Sequence, residues 1–338
     1  MNLHTAAPEW TGRTDGTGPE HRRWHSTVTP WFSSDGALER SGPDSTAQPK
    51  LELNPEAGIV LVGFSSDEGV RRNQGRVGAA EGPAALRQAL GGLALHSDVS
   101  IYDAGTVTVA DEDLEGGQDA LASQVEAIVA AGHTAVVLGG GHETAFASHL
   151  GLYRALRPAK VAVINIDAHF DLRQAERPTS GTPFLQIAQL EGDALQYTVL
   201  GISRPNNTAA LFHTADRLGV TYVEDTAFEA ITPAEAATLV TQAAADAEVV
   251  HLSIDLDVLP AAVAPGVSAP AGYGVSLSHV RAMVAAAAQT GKLALVDVVE
   301  LNPRFDVDGR TARAAARLIS EVVSNLKPRA GLHDRSAT

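Results

Sequence analysis

The sequence predicts a three-layer α/β fold built on a doubly wound, mainly parallel sheet. From residue 58 onward, short runs of Val, Ile and Leu alternate with Ala-rich stretches of helical character. The apolar runs show no polar–apolar alternation, which is typical of parallel strands that helices cover on both faces. Repeated strand–helix units of this kind favour an open sheet with a helical layer on each side.

The predicted strands are eight short apolar runs at residues 58–63, 100–103, 134–138, 161–166, 197–201, 221–223, 249–254 and 293–298. The clearest predicted helices span 118–131, 233–247, 277–290 and 311–326. Thr232-Pro233 and Ser276 are typical of helix starts, and Gly132 and Gly291 are typical of helix ends. Strand and helix signals therefore alternate along the chain, as the predicted fold requires.

The first fifty residues differ in composition from the rest. They are rich in Gly, Pro, Ser, Thr and charged side chains, yet they contain all three tryptophans, Trp10, Trp24 and Trp31. Disordered segments are poor in aromatic residues. We therefore expect an N-terminal arm at 1–50 that docks on the domain or on a neighbouring subunit, and a single catalytic domain at 51–338. A mobile arm is the alternative, and an arm docked on a neighbour would make the protein a homo-oligomer.

Composition argues against several classes of function. The 338 residues carry a net charge of −15, whereas nucleic-acid binding needs a basic surface. No apolar run is long enough to span a membrane, and the first thirty residues have no apolar signal core. We expect a cytoplasmic protein that acts on a small molecule. Because the chain has no cysteine, any metal would be held by oxygen and imidazole nitrogen.

Three polar runs contain side chains that bind metals, and each follows an apolar stretch. They are Gly140-Gly141-His142-Glu143, Asp167-Ala168-His169-Phe170-Asp171 and Ser253-Ile254-Asp255-Leu256-Asp257. Residues two apart on an extended chain share a face, so Asp167, His169 and Asp171 are expected to converge. The carboxyl ends of parallel strands meet at one edge of the sheet, which brings the three runs together.

So many acids beside a buried sheet require cations among them. The pattern therefore indicates a two-metal hydrolytic centre. Its predicted ligands are His142, Asp167, His169, Asp171, Asp255 and Asp257.

Other polar residues near these runs admit more than one interpretation. The glycines before His142 lack the Lys-Ser/Thr ending of a phosphate loop, so we expect them to let the backbone approach the metals. Glu143 is expected at a helix start or as an acid behind the ligands. Glu300 is expected in the pocket, although a helix cap or a surface pair with arginine would also fit.

Arg71 and Arg72 lie either in a solvated loop or in a clamp for an anionic substrate. Isolated histidines are expected to be structural or exposed: His133, His149, His213, His251 and His279.

The three runs, a Gly-Pro pair at 82–83 and the segment Val298-Val299-Glu300-Leu301-Asn302-Pro303 together resemble the arginase/agmatinase ureohydrolases. The resemblance covers about residues 58–326. It implies an arginase-like three-layer fold and two manganese ions per subunit. It also implies that one ion is held by His142, Asp167, Asp171 and Asp255, and the other by Asp167, His169, Asp255 and Asp257. Asp167 and Asp255 would bridge the two ions.

Several segments are similar to the branch of this family that hydrolyses N-formimidoyl-L-glutamate in histidine degradation. They are residues 67–73, 171–173, 180–184 and 257–266 and the opening Trp10-Thr11-Gly12-Arg13. Where arginases carry an asparagine in the second run, this chain has Arg173. Where they carry a catalytic histidine in the following loop, it has Phe184. Both differences count against arginine hydrolysis.

The expected reaction is cleavage of N-formimidoyl-L-glutamate to L-glutamate and formamide. By the resemblance, Asp171 would carry a proton to the leaving amine, and Glu300 would hold the cationic amidinium in line. The substrate tail has two carboxylates, and a guanidinium binds a carboxylate in a bidentate fork. The candidate substrate-binding residues are Arg173, Arg71, Arg72 and Ser180, with Arg173 as the leading one.

Two other functions are consistent with the same residues. A related amidinohydrolase would act on agmatine, guanidinobutyrate or another guanidino acid and release urea. A non-catalytic metal-binding protein of this fold would take up metal and turn over no amidine.

Overall fold

The computed structural model of the chain describes residues 3–31, 57–157 and 159–329. In this part of the chain the strands are β1 (His4–Thr5), β2 (Thr29–Pro30), β3 (Ile59–Ser65), β4 (Ile101–Thr108), β5 (Thr134–Leu138), β6 (Val161–Ile166), β7 (Gln196–Ile202), β8 (Thr221–Glu224), β9 (Val249–Asp255) and β10 (Leu293–Val299). The helices are α1 (Trp24–Thr27), α2 (Glu68–Arg72), α3 (Gly82–Gly91), α4 (Leu114–Ala130), α5 (Thr144–Leu156), α6 (Pro183–Glu191), α7 (Ala209–Arg217), α8 (Pro233–Ala243), α9 (Leu277–Gln289) and α10 (Arg310–Asn325). No helix in these ranges is long and apolar enough to cross a membrane.

The strands form one sheet in the order β1-β4-β3-β5-β10-β9-β6-β7-β8, and β2 also pairs with β4. All described pairings are parallel except that of β1 with β4. The sequence-consecutive strands β5 and β6 are separated in the sheet by β10 and β9. Such a change of strand order opens a crevice at the carboxyl ends of the strands, where ligands bind in α/β folds.

Apolar side chains cover both faces of the sheet, which gives the three layers. Successive residues of β3 show this directly: Ile59 and Leu61 belong to one buried cluster, and Val60 and Val62 belong to the other. The first cluster includes residues of α3, α8, α9 and α10, and the second includes residues of α4, α5, α6 and α7. The absence of alternation in the sequence thus reflects strands that are buried on both sides.

All eight predicted strands are present, with shifts at their ends. The largest shift is in β4, which continues to Thr108 although the apolar run ends at residue 103. The extra residues lie between β3 and β1, so pairing on both sides keeps them extended despite Gly105. The four predicted helices are also present, and α4 begins earlier than expected because Asp113 caps the backbone N–H of Gly116. Helices α1, α2, α3, α5, α6 and α7 were not predicted.

Residues 3–31 lie against the domain through short strands and tryptophans. Besides the pairing of β1 and β2 with β4, the indole N–H of Trp10 donates to Asp103 at 2.9 Å. Trp24 is fully buried in the cluster that contains α3, and Trp31 packs at the edge of the other cluster. Residues 32–50 of the predicted arm lie outside the described residues.

Candidate metal centre

Four adjacent strands carry the predicted site residues to one edge of the sheet. His142 follows β5 after the glycines 139–141, Asp167 follows β6, Asp255 is the last residue of β9 and Glu300 follows β10. Gly140 is needed for this approach, because a Cβ at that position would lie 1.9 Å from the carbonyl oxygen of Ser66. The crevice between β5 and β6 is therefore lined by side chains from all three polar runs.

The first group of ligands surrounds one nitrogen of His142. Its Nδ1 lies 3.0 Å from an oxygen of Asp171, 3.0 Å from Asp255 Oδ2 and 3.2 Å from Asp167 Oδ2. His142 and Asp167 are fully buried, and Asp255 is almost so. These four residues are the set that the resemblance assigns to one ion.

The second group centres on His169. Its Nδ1 lies 3.1 Å from Asp257 Oδ2 and 3.6 Å from Asp167 Oδ1. Asp167 thus faces the first group with one oxygen and the second group with the other. The potential ligand atoms of Asp167, His169 and Asp257 lie within 4.8 Å of one another, as do those of His142, Asp167 and Asp171. Bridging by Asp255 stays a prediction, because the described contact of its carboxylate with an imidazole is with His142.

Turns bring these side chains together, so the expected extended conformation is wrong for the second run. β6 ends at Ile166, and Asp167 begins a bend in which its Oδ1 accepts the backbone N–H of His169 at 2.6 Å. Asp171 has a positive φ of 48°. Asp257 lies in a 3-10 turn, and its backbone N–H donates to Asp255 Oδ1 at 2.8 Å. At each of these places the strand ends, and the carboxylate of Asp167 or Asp255 accepts a hydrogen bond from the turn that follows. The spacing of residues on an extended chain does not predict such turns.

The electrostatics of the centre favour bound cations. Burial raises the pKa values of Asp171, Asp255 and Asp257, and neighbouring carboxylates add to the effect. Asp167 differs: burial opposes ionisation, but the imidazoles of His142 and His169 lower its pKa below the ordinary value. Crowded carboxylates of this kind are stable in the ionised form only when positive charge lies among them.

Two buried ligand atoms have no hydrogen-bond partner in the described structure, namely His142 Nδ1 and Asp257 Oδ1. His142 Nδ1 has three carboxylate oxygens around it without hydrogen-bond geometry, so its lone pair and theirs point into the same space. A set of imidazole nitrogens and carboxylate oxygens suits manganese and similar divalent ions. The residues present therefore fit a pair of such ions.

Glu300 lies at the centre in a strained backbone conformation. Its φ is +69°, its Oε1 accepts the backbone N–H of His142 at 2.8 Å, and its Oε2 accepts the hydroxyl of Ser268. Burial, with the nearby charge of Glu143, raises the pKa of Glu300 to about 8. Glu300 thus lies against a predicted ligand, and its role in the pocket stays a prediction; neither a helix cap nor a pair with a surface arginine is observed for it in the described structure.

Glu143 points away from the ligands. Its Oε1 accepts the hydroxyl of Ser66 at 2.7 Å and the backbone N–H of Gly69 at 3.0 Å, and its backbone precedes α5. Burial raises the pKa of Glu143 to about 7. The side chain therefore connects the loop that carries His142 to the start of α2.

The candidate substrate-binding arginines differ in their environments. The Arg72 side chain is 8% exposed and binds Glu68 and Glu115, and Arg71 binds Glu68 and Glu112. Both guanidinium groups therefore already have carboxylate partners. Arg173 is exposed and has no ion pair in the described part of the chain. Arg173 is thus the one of the three whose charge is not already neutralised.

Ser180 and Phe184 lie in the loop and helix that follow Arg173. Ser180 is buried and accepts the side-chain N–H of Asn73 at 3.1 Å, and the neighbouring Gly181 packs under the Arg173 side chain. Phe184 contacts the ring of His142 edge-on, with 5.2 Å between ring centroids, and stacks on Tyr197. Phe184 therefore packs against a predicted ligand and has no group that moves a proton.

Sequence reasoning missed several polar groups behind the ligands. Asn165 donates to Asp167 Oδ2 at 2.8 Å, and Ser253 lies 2.9 Å from His142 Nε2 and donates to Asp297. A usable signal was present for Asp297, because it is a single acid inside the apolar run of β10. Ser268 had no such signal.

The chain is similar to proteins of one family over nearly its whole length. The model of the Arginase family matches residues 57–324. A formimidoylglutamase from Nocardia farcinica is 52% identical over 325 residues, which cover 95% of this chain and 98% of that protein. One from Chromobacterium violaceum is 46% identical and covers 94% and 98%.

Solved structures agree with this relationship. Trypanosoma cruzi formiminoglutamase, determined with Mn²⁺, has a TM-score of 0.73 at 30% identity and covers 79% of this chain and 92% of its own. Arginase from Bacillus subtilis, at 22% identity and a TM-score of 0.68 with 79% and 98% covered, shows the same fold. The predicted three-layer arginase-like fold is confirmed. On the family match and the similarity of these relatives, the chain belongs to the arginase family.

Proposed function

We propose that the protein is a formimidoylglutamase that uses two manganese ions to hydrolyse N-formimidoyl-L-glutamate to L-glutamate and formamide. The observation that carries the proposal is the grouping of the six predicted metal ligands, together with Arg173 two positions after Asp171, an exposed guanidinium without an ion-pair partner in the described structure. Relatives with the name formimidoylglutamase match 93% or more of the chain, which supports the same substrate.

The ligands would be those that the sequence predicts. His142, Asp167, Asp171 and Asp255 would hold one ion, and Asp167, His169, Asp255 and Asp257 the other. When bound, a pair of manganese ions supplies Lewis acidity and lowers the pKa of a shared water toward neutrality.

The protein's own residues would orient the substrate and handle its charges. The Glu300 carboxylate would bind the amidinium by a charge-assisted hydrogen bond, and that positive charge would favour the ionised form of an acid whose pKa is raised to about 8. Asp171 would transfer the proton from the attacking water to the nitrogen that leaves with glutamate. Water thus gives its oxygen to the formimidoyl carbon, the C–N bond to glutamate breaks, and formamide and glutamate result.

Arg173 would bind a carboxylate of the glutamate tail. Its guanidinium presents a planar pair of donors, and the tail of this substrate carries two carboxylates where arginine carries one carboxylate and one ammonium. Ser180 and Asn73 lie beside it as further polar groups. Arg71 and Arg72 would act indirectly, through the acidic side chains that they bind.

We also propose the setting in which the protein acts. It would work in the cytoplasm on a step of histidine degradation, since a cysteine-free chain with a free amidine substrate needs no oxidising compartment. Residues 51–338 would form a single catalytic domain and residues 1–50 an arm docked on that domain or on a neighbouring subunit. We expect neither nucleic acid nor membrane as a partner.

The test is a turnover assay of purified protein with added Mn²⁺ on a panel of amidines. We expect formamide and glutamate in equal amounts from N-formimidoyl-L-glutamate, and no urea from arginine. Urea from agmatine or guanidinobutyrate, with no formamide, would instead identify a guanidino-acid hydrolase. Uptake of Mn²⁺ without turnover of any amidine would identify a metal-binding protein that is not an enzyme.

A further inference from the structure

A buried chain of polar side chains extends from His142 through the sheet to α6. His142 Nε2 lies 2.9 Å from the hydroxyl of Ser253 on β9, and this hydroxyl contacts Asp297 on β10. Asp297 Oδ2 lies 2.6 Å from His251 Nε2, and His251 Nδ1 lies 3.1 Å from His149 Nδ1 on α5. This series of contacts ends at the Glu191 carboxylate, which lies 2.9 Å from His149 Nε2. We call these residues the polar array.

The polar array is almost completely buried. Ser253, Asp297, His251 and His149 have no exposed surface, and the Glu191 side chain is 8% exposed. Polar groups in such a place are costly unless each one has a partner. His142 is the predicted metal ligand of this array, so the remaining five groups need a separate explanation.

Hydrogen-bond directions follow from the donors around Asp297. Its carboxylate faces the hydroxyls of Ser253 and Ser148 and a nitrogen of His251, three groups that can all donate. If Asp297 accepts from all three, the single hydroxyl proton of Ser253 lies in its hydrogen bond to Asp297. The hydroxyl oxygen of Ser253 can then only accept from His142 Nε2–H. Nδ1 of His142 is left without a proton, in the form in which a histidine binds a metal.

Hydrogen bonds donated in the opposite direction would prevent His142 Nδ1 from binding a metal. A protonated Asp297 would donate to Ser253, Ser253 would donate to His142 Nε2, and Nδ1 would carry the ring proton instead. The state of Asp297 therefore decides which nitrogen of His142 is free. His251 faces Asp297 and donates to its carboxylate through Nε2–H, which favours the acceptor state.

The far end of the array orients the donor of His251. His251 Nδ1 lies 3.1 Å from His149 Nδ1, and His149 Nε2 lies 2.9 Å from the Glu191 carboxylate, so both rings are held in place. If His149 donates to His251 Nδ1, the ring proton of His251 lies on Nε2, the nitrogen that faces Asp297. His149 and Glu191 thus support the donor that keeps Asp297 a hydrogen-bond acceptor.

We propose that His251, His149 and Glu191 are positioning residues of the metal centre. They keep Asp297 a hydrogen-bond acceptor, so that Ser253 donates to Asp297 and His142 presents a bare Nδ1 to the cation. The inference rests on the metal centre of the proposed function and not on its substrate. Measurement of cation binding therefore tests it separately from turnover.

The experiment compares two substitutions at one position. His251→Gln retains an N–H that can reach Asp297, whereas His251→Leu removes every polar atom at similar volume. We expect the Mn²⁺ dissociation constant, measured by electron paramagnetic resonance of free Mn²⁺, to rise about 10- to 100-fold in His251→Leu, the range typical of partners behind a metal ligand. We expect His251→Gln to stay within about threefold of the wild type, because it restores the donor.

Controls separate positioning from loss of core stability. His133 is another buried histidine, bonded to the backbone N–H of Gly58 and outside the array. His133→Leu is expected to lower thermal stability and leave Mn²⁺ affinity unchanged. Asp297→Asn keeps the shape of the side chain and provides the test if His251→Leu does not fold; it is expected to weaken Mn²⁺ binding, since an amide nitrogen can donate toward Ser253.

Nuclear magnetic resonance of the zinc-loaded, ¹⁵N-histidine-labelled protein provides a direct readout. We expect His142 to carry its proton on Nε2 in the wild type and in His251→Gln. Unchanged Mn²⁺ affinity in folded His251→Leu would overturn the proposal. Equal losses in both His251 variants would also overturn it, as would wild-type affinity in Asp297→Asn.

Discussion

At the residue scale, each predicted carboxylate ligand is costly to bury by itself, whereas the group as a whole fits a site for cations. Burial and mutual repulsion raise the pKa values of Asp171, Asp255 and Asp257, whereas at Asp167 the imidazoles of His142 and His169 outweigh burial and lower the pKa. Asp167 also faces both groups of ligands, one oxygen toward each. Asp167 is therefore the described carboxylate that contacts the imidazoles of both groups.

Arg173 is the residue on which substrate choice is predicted to depend. We expect Arg173→Ala to lower kcat/KM for N-formimidoyl-L-glutamate by about 10- to 100-fold, mainly through KM, since a lost hydrogen bond to a charged group is worth roughly 1.5–3 kcal/mol. Steady-state kinetics on the Mn²⁺-loaded protein measure this. Arg177→Ala is the matched control, because Arg177 lies on the same segment but already pairs with Glu115. An unchanged kcat/KM in Arg173→Ala would remove Arg173 from the substrate site.

At the element scale, helix α2 and the loop after β5 are held together by one buried acid. Glu143 accepts hydrogen bonds from Ser66 and from the backbone of Gly69, and a Cβ at Gly69 would lie 2.5 Å from the Glu143 carboxyl group. This close fit fixes α2, with its arginines, relative to His142. The second oxygen of Glu143 has no hydrogen-bond partner in the described structure, which is consistent with a neutral carboxyl group.

Glu143 should make the stability of the metal-free protein depend on pH. Because its pKa is about 7 when folded and near 4.5 when unfolded, the folded state binds more protons between these values. Its contribution to stability is therefore full below about pH 4.5 and is lost as pH rises through about 7. Glu143→Gln should remove a decline of about 3 kcal/mol in unfolding free energy over this range. Urea unfolding of the metal-free protein at several pH values measures it.

The control for this prediction is Glu235→Gln. Glu235 forms the capping box of α8 with Thr232, and hydrogen bonds from Thr232 lower its pKa. Its contribution to the free energy of unfolding therefore changes with pH only below about pH 4.5. Glu235→Gln should therefore leave the slope between pH 4.5 and 7 as in the wild type. Identical slopes in Glu143→Gln and the wild type would show that Glu143 is ionised in the folded protein.

At the scale of the whole molecule, the crowded carboxylates make stability depend on bound metal. A ligand that binds only the folded state adds about 4 kcal/mol at a concentration 1,000 times its Kd. We expect saturating Mn²⁺ to raise the melting temperature and a chelator to reverse the change. Asp255→Asn should melt higher than the wild type without metal, because it removes a buried, repelled carboxylate. It should also gain less from Mn²⁺. A melting temperature insensitive to Mn²⁺ in the wild type would contradict the two-metal centre.

Much of the fold was predictable because the strands are buried on both faces. Eight apolar runs were visible as strands, and strand–helix alternation predicted the parallel sheet and the edge where His142, Asp167, Asp255 and Glu300 meet. The helices that were missed follow special backbone turns. α5 begins after the glycines of the metal loop, and α6 begins at Pro183 inside a segment that reads as a turn. Local pattern is ambiguous where the chain must first bend around the site.

The sequence by itself determined which side chains could bind metal and in which strand-to-helix segments they lie, because those properties depend on residue type and local apolar pattern. Only the tertiary structure decided that Asp167 faces both ligand groups, that Arg71 and Arg72 are neutralised whereas Arg173 is not, and that Asp297 and two histidines stand behind His142. These facts depend on contacts between residues far apart along the chain, such as that of His142 with Ser253, which are 111 positions apart. Such contacts arise from the order of strands in the sheet, which no local stretch of sequence specifies.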